Sequence, residues 1–155
     1  MAAWIVRVKK HAECERAAIE QDVICIGWDW LEDLRSFSTQ DSLDQRLRRQ
    51  DPHHRLGTVA SHRMTLWRFA SDMEIGDLVV LRGAGPNVMV GTIVGDYQDA
   101  GEHAGNTRHR RRVAWRLRAV PFATLADDLR QSFFSPPTVV RLPQQAKAQL
   151  DEARS

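Results

Sequence analysis

Residues 75–97 read IGDLVVLRGAGPNVMVGTIVGDY, and this stretch decides the fold. Leu78–Leu81 is a run of four apolar residues, and Val88–Val94 is a second apolar run. Gly83-Ala84-Gly85-Pro86-Asn87 separates them, the composition of a turn. Two short β-prone runs joined by such a turn form a hairpin. Working outward, Arg111–Val120 is a third strand, because Val113, Trp115, Leu117 and Ala119 alternate with polar residues. A period of two sends Arg112, Arg116 and Arg118 to the face opposite that set. Trp4–Val8 and Val23–Ile26 are two further strands of aromatic and β-branched residues. Thr138–Leu142 is a final strand candidate.

Between these strands the spacing predicts helices. His11–Glu20 mixes alanines with charges. Asp41 or Ser42 caps a helix that runs to Gln50 and stops at Asp51-Pro52. Thr58–Ala70 carries apolar residues at helical intervals. Ala123–Gln131 is a short helix, and Pro143 opens a terminal one through Glu152. Short strands split by helices argue against a doubly wound parallel sheet. The expected architecture is one α+β domain over residues 1–155, a small bent β-barrel-like sheet flanked by helices.

The chain has 155 residues, of which 43% are hydrophobic and 27% charged, the balance of a globular protein rather than a disordered one. Apolar runs of four or five residues fall far short of the roughly 20 that cross a bilayer, so no membrane partner is expected. Cys14 and Cys25 make no disulfide framework, which points to a reducing, cytoplasmic setting. They form no Cys-x-x-Cys pair, and His53-His54 are adjacent, so no metal site is expected. Gly83-Ala84-Gly85 lacks the rest of a dinucleotide loop, and no phosphate loop or nucleophile elbow occurs. No catalytic set and no cofactor are expected.

Net charge is only +2, but its distribution is uneven. Six arginines and no acid lie between His103 and Arg118, so the remainder carries a net of −4. A dense acid-free cluster repels itself unless an anion meets it. Arg108, Arg110, Arg112, Arg116 and Arg118 are therefore candidate phosphate contacts, and arginine suits that role through bidentate hydrogen bonding. Five tryptophans are present. Trp28 and Trp30 follow Gly27 and flank Asp29, a setting for aromatics that stack on a base rather than fill a core. Tyr97, in the polar loop after Val94, is a similar candidate.

These residues resemble a known family. Trp4-Ile5-Val6-Arg7, Val23-Ile24-Cys25-Ile26-Gly27-Trp28 and Asp33-Leu34 look like the opening of the N-terminal domain of Mrr-like restriction proteins. The likeness continues through Phe69, Gly76-Asp77-Leu78-Val79-Val80, Val90-Gly91-Thr92-Ile93 and Gly95-Asp96-Tyr97. It closes with Arg111-Arg112-Val113-Ala114-Trp115, Ser132 and Thr138-Val139-Val140-Arg141-Leu142. That domain is similar to the EVE and PUA-like superfamily, whose relatives include YTH domains. The resemblance implies a small bent barrel and a non-catalytic reader of nucleic acid, often of a modified base, working beside a restriction nuclease. Tyr97 is followed by Gln98-Asp99 where the family more often has Tyr-x-Tyr, and these 155 residues hold no nuclease domain, whether as a free-standing module or as a fragment.

The expected partner is therefore DNA carrying a modified base, with a nuclease partner in restriction or phage defence. RNA, a free nucleotide-like ligand or an acidic protein surface are the alternatives. The expected base pocket has Trp28 as one wall, with the others drawn from Trp30, Tyr97, Arg111 and Ser132. In the competing reading Trp28 plugs the barrel end.

Overall fold

The structure is a computed structural model that describes residues 1–53, 55–134 and 138–154. In chain order the elements are β1 (Ala3–Arg7), α1 (Ala12–Gln21), β2 (Val23–Cys25), α2 (Gln40–Gln50), α3 (Leu56–Trp67), β3 (Leu78–Arg82), β4 (Asn87–Ile93), β5 (Gln98–Asp99), β6 (His109–Pro121), α4 (Asp127–Ser132), β7 (Val139–Arg141) and α5 (Gln144–Arg154). The strands form one curled half-barrel sheet in the order β2-β6-β4-β3-β1-β7, with β5 paired to β6. β1 runs parallel to β3, and the hairpin β3–β4 is antiparallel.

Helices cover both faces. Trp4, Val6, Val79, Leu81, Ile93 and Val113 pack against α1, α2 and α3, while Ala3, Ile5, Leu78, Val80 and Val90 meet Leu129, Phe133, Ala146 and Leu150 from the other side. A strand buried on both faces has no polar side to show, which is why Leu78–Leu81 is apolar at every position.

β6 is the longest strand, and its two halves pair with different neighbours. Arg110–Arg112 pair with β2, and Val113–Pro121 pair with β4 across two register shifts near Val90. Gly91 sits at the second shift. A Cβ there would stand 2.7 Å from the Ala114 carbonyl, so only glycine fits. Where β2 ends the chain turns sharply, with Gly27 at φ 92 and Trp28 at φ 57. The left-handed region costs a non-glycine residue about 1–2 kcal/mol, so Trp28 is held there by its surroundings.

Several element boundaries differ from the sequence reading. α3 starts at Leu56 and continues as a wider turn over Arg68–Asp72, closed by Met73 N–H donating to the Arg68 carbonyl at 2.9 Å. The expected loop 95–106 holds β5 and a 3-10 segment over Glu102–Thr107. The helix expected from Ala123 begins at Asp127, after a 3-10 turn at Phe122–Thr124. Thr39, not Asp41, caps α2, exchanging hydrogen bonds with Ser42 in a capping box. His54, of the His53-His54 pair, lies outside the described residues.

Candidate functional site

β1 and β3 run side by side and in register, so Arg7 lies directly opposite Arg82 at their ends. Like charges placed opposite one another on a sheet are destabilising. The turn after β1 adds Lys9 and Lys10, both exposed, and then His11. These five residues line a basin of about 390 Å³ together with Phe133, Phe134 and Thr138. Its volume lies in the range of ordinary ligand sites.

The two arginines are braced rather than loose. Arg7 Nη1 donates to the Phe133 carbonyl at 2.7 Å, and burial draws the Arg7 guanidinium below its ordinary pKa. The Arg82 guanidinium lies 3.4 Å from the centroid of Phe122. Phe134 is 70% exposed at the rim. The basin therefore combines fixed positive charge with an open aromatic face, the two features a nucleotide asks of a site.

A second concavity, of about 120 Å³, is lined by Trp28, Trp30, Leu47, Gln50, Asp51, Val59 and His62. Trp28 is half-buried and meets the His62 ring edge-on at 5.3 Å between centroids. Trp30 is 38% exposed, with the Arg46 guanidinium 5.2 Å from its ring centroid. This slot is smaller than an ordinary ligand pocket; it is sized for a base edge or a small substituent rather than a whole nucleoside.

The structure brings Trp28 and Trp30 together and separates them from the other expected pocket residues. Tyr97 is buried, and its hydroxyl accepts from the Leu34 N–H at 3.1 Å and lies 2.6 Å from His109 Nδ1. No face of its ring is open to a base. Burial, the largest cause, raises its pKa well above the usual phenol value. Arg111 is buried too. It donates to the carbonyls of Phe69, Met73 and Gly95, tying the end of α3 to β6, and burial lowers its pKa. Ser132 belongs to α4, on the opposite face of the sheet, where its hydroxyl donates to the Asp128 carbonyl at 3.2 Å.

The expected phosphate contacts divide in the same way. Arg108 is buried in an ion pair with Asp99 at 2.8 Å, and it holds the Asp99 carboxyl below the usual carboxylate range. Arg110 is spent on the Thr107 carbonyl and hydroxyl and on Gln21. Arg118 pairs with Asp22 at 2.7 Å at the surface. Arg112 and Arg116 are exposed on the outer face of β6.

Asp77, between Gly76 and the hairpin, accepts from Ala2 N–H, the Trp4 indole and Glu74 N–H, each within 3.0 Å, and so fixes a turn. Cys14 and Cys25 are buried, and the hydrogen bond between them, with burial, holds the Cys14 thiol protonated. Among the described residues no group of three or more His, Cys, Asp or Glu is placed to hold a metal, and no helix is long and apolar enough to cross a membrane.

Residues 4–143, nearly the whole of this fold, match one family model, described as a domain of unknown function (DUF8426). The chain belongs to that family. A search of curated proteins finds no match. Among solved structures, the chain is similar to the YTH domain of the Zygosaccharomyces rouxii MRB1 protein, solved in complex with N6-methyladenosine RNA. The identity is 10%, the TM-score is 0.49, and the alignment covers 99% of this chain and 86% of that one. At that identity the likeness says nothing of what this chain binds.

Proposed function

We propose that this chain is a non-catalytic module that binds a strand of nucleic acid, laying phosphates in the Arg7–Arg82 basin and presenting a base to Trp28 and Trp30. The ligand is DNA with a modified base, read on behalf of a nuclease partner in restriction or phage defence. The observation that carries this reading is the basin itself. Two arginines in register on neighbouring strands, with Lys9 and Lys10 in the same lining, concentrate positive charge, and the described residues of that lining include no acid.

The chemistry is coherent in energy. Capturing one base from a stack costs a few kcal/mol. Stacking returns about 1–3 kcal/mol per base, and phosphate contacts supply the remainder in a salt-sensitive way. A slot too small for a nucleoside selects on the edge of a base, where modifications are carried. Arg112 and Arg116 add exposed positive charge on β6.

Fluorescence anisotropy with short labelled oligonucleotides tests the proposal. DNA and RNA strands, single and double, are compared with and without N6-methyladenine or 5-methylcytosine. Binding that weakens steeply with salt and is tighter for a modified DNA strand supports it. Preference for RNA would reassign the ligand, and no salt-dependent binding to any strand would overturn it.

A further inference from the structure

Trp28 adopts a backbone conformation that its side chain disfavours, and something has to hold it there. Its carbonyl accepts two hydrogen bonds, from Leu31 N–H at 3.0 Å and from the His109 ring at 3.0 Å. His109 is fully buried, and its other nitrogen lies 2.6 Å from the Tyr97 hydroxyl. That hydroxyl already accepts from the Leu34 N–H. The direction of every proton in this chain then follows. The Trp28 carbonyl can only accept, so the Nε2 that faces it carries the ring proton. In the neutral ring that burial favours, Nδ1 is then bare and accepts the proton of the Tyr97 hydroxyl.

We propose that Tyr97 and His109 are positioning residues for Trp28, forming a one-directional relay from Leu34 N–H through the Tyr97 hydroxyl and the His109 ring to the Trp28 carbonyl. The relay fixes the strained peptide and so aims the indole at the slot. Arg108 assists from the neighbouring position, donating to the Asp29 carbonyl at 3.1 Å. The charged groups acting on His109 are Arg108 and Asp99, which are paired with each other. A second proton on the imidazole would take Nδ1 away as the acceptor of the Tyr97 hydroxyl proton, so the relay requires a neutral ring. Its consequence for base capture rests on the function proposed above; the positioning itself does not.

The test is NMR on the free 155-residue chain, without nucleic acid. Nitrogen shifts of the His109 ring at pH 7 are expected to show the neutral tautomer protonated on Nε2. A ring protonated on Nδ1, or charged, would overturn the relay. Tyr97→Phe removes one buried oxygen. The backbone amides of Trp28 and Asp29 and the Trp28 indole signal are expected to move, while the Trp4 and Trp115 indoles, bonded to Asp77 and to the Ala18 carbonyl, stay in place as references. Unmoved Trp28 signals in the folded variant would overturn the positioning role. If Tyr97→Phe does not fold, His109→Gln, which keeps a side-chain N–H donor, is read against His109→Leu. Trp28 signals nearer to wild type in the glutamine variant support the proposal, and identical signals in the two overturn it. Because no oligonucleotide is present, failure here leaves the nucleic-acid reading intact, and failure of that reading leaves the relay intact.

Discussion

The imidazole of His11 lies against Gly27: a Cβ at that glycine would stand 3.6 Å from Cε1 and 3.7 Å from Nε2. His11 is part of the basic basin, and Gly27 is the residue before Trp28. This contact ties the turn that carries the basin to the turn that carries the Trp28 slot, and the proposed function requires one strand of nucleic acid to reach from the first to the second.

Lys9→Ala and Lys10→Ala are expected to weaken binding of plain and modified strands alike. Each should flatten the dependence of log K on log salt by roughly one unit for each phosphate that is no longer neutralised. Anisotropy titrations at several salt concentrations measure it. Arg112→Ala combined with Arg116→Ala shows in the same way whether the outer face of β6 joins the path. An unchanged slope in every variant would show that the basin meets no phosphate.

Trp28→Ala separates a base-facing indole from a plug. The variant is expected to melt as a folded protein and to lose preference for the modified base, with affinity weakened by about 1–3 kcal/mol, the worth of one stacked base. A plug would instead cost about 3–5 kcal/mol of stability. A thermal melt run beside a binding titration reads both.

Asp77 is 2% exposed and accepts three hydrogen bonds. Asp77→Ala would leave buried donors without partners, and is expected to destabilise the fold by about 3 kcal/mol. Denaturant unfolding measures this, and affinity should fall no further than the fraction of folded protein does.

Burial lowers the pKa of His109, so the folded protein holds that ring neutral where the unfolded chain would bind a proton. Stability from this group is complete above the unfolded value of about 6.5 and falls as pH drops below it, by up to about 1.4 kcal/mol per unit, until the folded pKa is passed. The carboxylates held low by arginines, Asp33 and Asp99, act only at more acidic pH. Melts between pH 7 and pH 5 are therefore expected to show a falling Tm, and His109→Gln should remove that part of the slope.

β1, β2 and β3 are legible in the sequence because burial on both faces leaves them as apolar runs, β6 is legible by its alternation, and the turn residues between β3 and β4 mark the hairpin. The candidate site is legible in part. Trp28 stands out by its place after a strand-ending glycine, and its half-buried indole does face a concavity. Tyr97 misleads: its polar loop suggests exposure, but Leu34 N–H and His109 satisfy its hydroxyl inside the protein. Parity alone is enough to exclude Arg111, which stands two positions before Val113, ahead of the register shifts, and so shares its inward face. The carbonyls that receive it, Phe69 and Met73, lie about 40 residues away in the chain and give no local signal.

The basin is hidden from a sequence reading because its residues come from β1, the turn after it, the end of β3 and the stretch after α4. One clue is present. Two of the three lysines in the chain are adjacent, one residue beyond a strand that ends in arginine. The arginine-rich stretch draws attention instead, although Arg108, Arg110 and Arg118 each have partners within the fold.

The most direct test of the account is an NMR titration of the nitrogen-labelled chain with a short single-stranded DNA containing a modified base, read at the tryptophan indole N–H signals. Trp4 and Trp115 have their indoles bonded inside the protein and serve as references. The account predicts that the Trp28 and Trp30 signals move saturably, together with the Lys9, Lys10 and His11 amides, while Trp4 and Trp115 stay in place. Saturable binding that leaves the signals of Trp28 and Trp30 at their free positions, or no binding at low salt, would contradict it.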